Sequence, residues 1–251
     1  MSANRPIALS IAGFDPSGGA GVLADVKTFE QHHVTGFGIL TANTIQTEDQ
    51  FIEIQWTDLS FVIRSIETFF ERYKISTVKI GIVPSLNYLN HILSTIKRIA
   101  PNTLIVWDPV LKSSTQFEFM SIEDRLELNH TLSKIDLITP NYNEIEILFP
   151  GFIANQLESQ NKIPTNILLK GGHHPSATGT DRLFLKDEII NLLPSDKKCF
   201  AKHGSGCVLS AAIAANLARN QSLKEACRNA KTYIEKYLNS TPTLIGHHYV
   251  S

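Results

Sequence analysis

Short apolar runs recur along the chain at intervals that leave room for one helix between neighbours. Ile7–Ala12, Gly38–Thr41, Thr77–Ile82, Leu104–Trp107, Ile135–Thr139 and Ile167–Lys170 each have the length of a strand buried on both faces. Between them, Phe61–Tyr73 and Leu86–Arg98 place apolar residues at every third or fourth position, as amphipathic helices do, with Asp58 and Ser85 set as N-caps. Such alternation predicts an α/β fold: a central, mostly parallel sheet with helices on both faces. Arg182–Lys186 and Glu188–Leu193 flank a break at Asp187, which adds an antiparallel hairpin at the sheet edge. Ser222–Leu238 carries an apolar stripe at helical spacing that includes Cys227, so this thiol reads as core. The tail from Asn239 to Ser251 reads as irregular. No repeat or linker divides the chain, and residues 1–251 are expected to form one domain.

Charge narrows the partners. Lys plus Arg number 23 and Asp plus Glu 24, a net charge of −1, so no basic footprint for nucleic acid or an anionic membrane is present and small molecules are expected instead. The three cysteines are odd in number and lack a CxxC spacing, which argues against a disulfide framework and a structural zinc site. With no signal-like segment and no apolar run near the length of a membrane span, a cytoplasmic location is expected.

In open parallel sheets, ligands collect outside the carboxyl ends of the strands. The loops there are rich in chemistry. The first, Gly13-Phe14-Asp15-Pro16-Ser17-Gly18-Gly19-Ala20-Gly21, has four glycines in nine residues and leads to Asp25 and Lys27. Later strands are followed by Asp108-Pro109-Val110, by Pro140-Asn141-Tyr142-Asn143-Glu144 and by Lys170-Gly171-Gly172-His173-His174. Near the C-terminal end, His203-Gly204-Ser205-Gly206-Cys207 opens an alanine-rich helix. A helix start offers free N–H groups and partial positive charge, so this turn suits an anion; it also reads as punctuation before a packed helix, with Cys207 a small buried hydrophobe. No P-loop is present. Gly19-Ala20-Gly21-Val22-Leu23-Ala24 matches G-x-G-x-x-A, yet it lies six residues beyond its strand, which weakens a dinucleotide reading.

The ordered set of these segments resembles the hydroxymethylpyrimidine and phosphomethylpyrimidine kinases of thiamine biosynthesis, in the ribokinase-like superfamily. It runs from the glycine-rich first loop through Thr41-Ala42 with Gln46, Lys79-Ile80-Gly81, Asp108-Pro109-Val110, Thr139-Pro140-Asn141 with Glu144 and Lys170-Gly171-Gly172-His173 to the turn at Cys207. The resemblance implies a ribokinase-like kinase that moves the γ-phosphoryl of ATP to 4-amino-5-hydroxymethyl-2-methylpyrimidine phosphate, and to the free alcohol, as a homodimer. It also implies roles. Gly13, Asp25 and Gln46 would hold the pyrimidine between Ile82 and Val110. Asn141, Lys170 and His203 would hold the nucleotide, and Glu144, with Asp108 through water, would hold Mg²⁺. Gly204, Ser205 and Gly206 would form the anion hole, and Cys207 would be the general base. A helix start worth up to ~2 kcal/mol would bring a thiol from about 8.5 to roughly 7.

Two departures from the family pattern stand out. Phe14 replaces a small polar residue and is expected to add bulk beside the substrate. The segment Leu111–Phe117 does not align with the usual lid, so Lys112 has no assured place over the phosphates. His173 and His174 lack a third clustered ligand and read as loop residues. The rival readings are a pyridoxal kinase, disfavoured by Cys207 and Gln46, a binding protein that has lost turnover, and an oxidoreductase built on the first loop.

Overall fold

The computed structural model describes residues 5–112, 117–122, 124–155, 163–173, 177–196 and 198–248. The chain order is β1 (Ile7–Phe14), α1 (Gly21–Gln31), β2 (Thr35–Gln46), β3 (Phe51–Trp56), α2 (Leu59–Arg72), β4 (Ile75–Ile80), α3 (Leu86–Ile99), β5 (Leu104–Trp107), α4 (Arg125–Leu132), β6 (Leu137–Ile138), α5 (Tyr142–Leu148), β7 (Asn166–Leu169), β8 (Asp181–Phe184), β9 (Ile189–Leu192), α6 (Ser205–Ala218) and α7 (Leu223–Asn239). One nine-stranded sheet has the order β3-β2-β1-β4-β5-β6-β7-β8-β9. The six strands from β2 to β7 pair in parallel, and β3, β8 and β9 are antiparallel.

The expected hairpin is therefore present at one edge, as β8 and β9. The opposite edge differs from expectation: β2 extends over twelve residues rather than Gly38–Thr41 and turns back into β3. Gly36 and Gly38 hide this strand in the sequence. A Cβ at Gly38 would lie 2.5 Å from Val22 Cγ1, so the glycine lets α1 settle onto the sheet.

Successive strand residues feed two cores, as period-2 geometry requires. Leu9, Ile105, Trp107, Ile138 and Leu169 face α2, α3, α4 and α5, whereas Ala8, Val106, Leu137 and Leu168 face α1, α6 and α7. In α6 every residue from Val208 to Ala218 is buried, because alanine lets the helix sit between the sheet, α1 and α7. Cys227 is fully buried in the same core.

Both expected N-caps form. Asp58 accepts from the Phe61 N–H and Ser85 from the Tyr88 N–H. Replacing Ser85 with alanine orphans a donor at the start of α3 and is expected to cost about 1 kcal/mol, read as a lower midpoint in urea at unchanged slope. As expected, the tail forms no helix or strand over residues 241–248; the His203 N–H donates to Leu244 O and Lys202 Nζ to Thr241 O, which tie it to the segment before α6.

Candidate active site

The loops after the parallel strands and the start of α6 enclose a cleft of about 1150 Å³. It has three regions. At one end Gly13, Gln46, Ile82 and Val110 line a pocket with two aromatic rings that the sequence reading did not single out, Phe51 and Phe119. The two rings meet edge to face with centroids 5.3 Å apart, forming an apolar wall. Gln46 Nε2 donates to Thr44 Oγ1 at 2.9 Å, which aims the amide along the end of β2.

Asp25 is a correction. It is 0% exposed and does not line the cleft, because the inner face of α1 carries it beneath β1. There Asp25 Oδ2 accepts from Lys79 Nζ at 2.9 Å and from Ser10 Oγ at 2.6 Å, while Oδ1 has no hydrogen-bond partner. Burial alone would discharge the Lys79 ammonium, but Asp25 reverses this and holds the group above its ordinary range. A lysine inside an apolar strand run was the signal in the sequence that such a counterion had to exist. Phe14 is a second correction: its side chain does not line the cleft, and only its carbonyl is used, by Thr44 Oγ1.

The middle region gathers the charged groups. Lys170 Nζ lies 2.8 Å from Asp108 Oδ1 and 3.7 Å from Glu144 Oε2. Burial opposes charge on all three, yet Lys170 and Lys79 keep Asp108 below its usual range, and the two carboxylates keep Lys170 above its own. Glu144 behaves differently, since burial, with Asp108 adding to it, pushes its carboxyl up to about 7 despite Lys170. Asn141 and Glu144 also close a capping box at the start of α5: Asn141 Oδ1 accepts from the Glu144 N–H, and Glu144 Oε2 from the Asn141 N–H.

Gly204, Ser205, Gly206 and Cys207 all line the same region, with Gly204 as N-cap of α6 at φ +69. Only glycine fits there, because a Cβ would fall 2.0 Å from Gly19 O. The turn therefore touches the glycine-rich first loop. His203 lines the cleft as well, but its Nε2 is engaged with Asp15 Oδ2 at 2.9 Å. The expected lowering of the Cys207 pKa is overturned. Burial pushes the thiol up to about 11; Lys79 and the Gly21 N–H oppose this, while Asp108 and Asp25 add to it. The helix start does not outweigh that surrounding.

At the third end, Gly179, Ser195, Phe200 and Lys202 form the wall. Lys231 bridges Asp181, the first residue of β8, and Glu235, one turn on along α7, at 3.1 and 3.4 Å; the helical i,i+4 pair is readable in the sequence, whereas Asp181 joins it only in the fold. Among the described residues no group of three or more His, Cys, Asp and Glu gathers as a metal site. Residues 113–116 of the departing segment and His174 lie outside the described residues; Lys112 lines the cleft and lies 3.9 Å from Glu118.

The pattern of the phosphomethylpyrimidine kinase family matches residues 15–251. The chain belongs to this family. A hydroxymethylpyrimidine/phosphomethylpyrimidine kinase of Aquifex aeolicus is 34% identical over 246 residues, covering 95% of this chain and 96% of the relative. A phosphomethylpyrimidine kinase structure from Clostridium difficile superposes with a TM-score of 0.76 at 28% identity, over 92% of this chain and 98% of that one. The ADP complex of a Bacillus subtilis pyridoxal kinase gives a TM-score of 0.78 at 25% identity, over 94% and 93%. The expected ribokinase-like fold and phosphotransferase class are thus those of the family.

Proposed function

We propose that this family member transfers the γ-phosphoryl of ATP to 4-amino-5-hydroxymethyl-2-methylpyrimidine phosphate, and to the free alcohol, for thiamine biosynthesis. One observation carries the reading: the glycine turn and Cys207 line one cleft with the Lys170, Asp108 and Glu144 cluster, suited to phosphates, and with the apolar lining of Ile82, Val110, Phe51 and Phe119, suited to a flat ring. The pyrimidine lies between Ile82 and Val110, with the Gln46 amide offering a donor and an acceptor to its edge and Gly13 letting the Ile82 side chain settle against β1. Lys170 neutralises the phosphates. The turn of Gly204, Ser205 and Gly206, fixed at the start of α6, receives charge on the transferring group; this is the largest contribution expected for a reaction that is mostly positioning and electrostatics.

Asp108 and Glu144 suit Mg²⁺, which keeps its waters and takes few protein carboxylates; with the nucleotide it would neutralise charge on the phosphate oxygens. Asn141 supports Glu144 through the capping box. Cys207 takes the proton of the substrate hydroxyl as thiolate, a form that Lys79 and the Gly21 N–H favour. Asp25 acts behind the pocket by keeping Lys79 charged.

Purified protein with Mg·ATP and a panel of the pyrimidine alcohol, its phosphate and pyridoxal, followed by mass spectrometry, tests the reading. Mono- and diphosphorylated pyrimidine are the expected products. Phosphorylation of pyridoxal alone would replace it with the rival reading, and tight pyrimidine binding without turnover would make the protein a binding module. A homodimer and a cytoplasmic location accompany the proposal on the resemblance alone, and sedimentation and fractionation check them.

A further inference from the structure

Asp15 sits at the crossing of the two loops that the proposed reaction needs. It is 1% exposed, and its carboxylate has four donors. Oδ1 accepts from the Ser17 N–H at 2.9 Å; Oδ2 accepts from Ser17 Oγ at 2.8 Å, from the Ala20 N–H at 2.8 Å and from His203 Nε2 at 2.9 Å. Three of these bonds shape the first loop. The fourth reaches 188 positions along the chain to the residue before Gly204. Burial would raise the Asp15 carboxyl, yet these bonds, that to His203 foremost, hold it below its ordinary range.

The joint is close-packed as well as hydrogen-bonded. A Cβ at Gly19 would lie 2.8 Å from His203 Cδ2, and one at Gly204 would strike Gly19 O, so the ring and both loop backbones are in contact. Two consequences follow for the cleft. The first loop is held against the start of α6, which carries Cys207, and the ring pocket at Gly13 is held at a set distance from the anion turn. Phosphoryl transfer depends steeply on that distance, since misplacement of about 1 Å costs on the order of 10²-fold.

We infer that Asp15 and His203 form a clasp that fixes the substrate loop against the phosphate-receiving turn, making both positioning residues for the proposed transfer. The inference rests on that reaction and gives His203 a task other than nucleotide binding.

Asp15→Asn turns a donor toward the Ala20 N–H and the His203 ring, and His203→Ala removes the other half. In each, kcat is expected to fall at least tenfold while KM for ATP moves less than threefold. The double variant is expected to fall no further than the weaker of the two singles, because one joint has already opened. Imidazole added at tens of millimolar is expected to restore kcat in His203→Ala and not in the double variant. Amide hydrogen exchange gives a readout free of substrate: His203→Ala should speed exchange in a peptide spanning Gly18–Val22, and Asp15→Asn in one spanning His203–Cys207.

A tenfold or larger rise in KM for ATP with kcat unchanged would return His203 to the nucleotide and overturn the clasp. Independent, multiplying losses of kcat, or exchange confined to the mutated loop, would overturn it too. Wild-type protein that phosphorylates no pyrimidine overturns the reaction instead, so the two failures are distinguishable.

Discussion

Cys207→Ala is expected to lower kcat by roughly 10²-fold near pH 7, the low end for loss of a general base. The reason for the low end is electrostatic. With the thiol pushed up to about 11, little thiolate exists at neutral pH, and the anion turn with Lys170 carries most of the rate. The sign of the pH dependence follows. A base whose pKa lies above the assay range gains its active form as pH rises, so log kcat of the wild type should climb between pH 7 and 10. The Cys207→Ala profile should be flatter, and the gap between them should widen. Equal rates and parallel profiles would remove Cys207 from proton transfer and leave the kinase intact.

Lys79→Met is expected to have the largest effect on stability. Its ammonium and the Asp25 carboxylate are both 0% exposed, and removal of one partner leaves a buried charge without compensation. Such a loss costs about 3–5 kcal/mol, against a total of about 5–15 kcal/mol for folded proteins generally. The penalty has a pH signature. Asp25 is already raised by burial, and Lys79 is the strongest influence pulling it down, so the variant raises it further. A carboxyl with a raised folded pKa destabilises above that pKa and ceases to do so as it protonates. The gap in Tm between wild type and Lys79→Met should therefore narrow as pH falls from 8 toward 5. A gap that is constant across this range would mean that lost packing, rather than stranded charge, accounts for the cost.

The elements legible in the sequence were those whose periodicity was undiluted. The runs from Leu104 and Ile167 gave β5 and β7 within a residue, and Asp58 and Ser85 announced α2 and α3, because local capping chemistry needs no tertiary partner. β2 was read short because its glycines answer to Val22 on α1, a contact made only in the fold. β3, with Glu53 and Gln55 in its outward positions, lacks the continuous apolar run of a central strand.

The site divides the same way. Residues at the strand ends and at the start of α6, such as Gly13, Asp108, Lys170 and Cys207, were visible as motifs and do line one cleft. Asp25 was visible as a motif too, but its orientation depended on a lysine 54 positions away. Phe51 and Phe119 carry no pattern of their own, and the aromatic wall exists only where two distant segments meet. Asp15 was visible as part of a glycine loop; its partner at His203 was not.

The burial of α6 on every side has a consequence for how such a protein can change over evolutionary time. The turn proposed to receive the phosphate opens a helix whose residues Val208–Ala218 are all buried, so repacking there is felt throughout the core it shares with α1 and α7. The ring pocket, by contrast, is walled in part by Phe51 of the edge strand β3 and by Phe119 on a connecting segment. New substrates can be accommodated at that margin while the phosphate-receiving turn stays unaltered, which assigns novelty to the periphery and constancy to the interior of a single cleft.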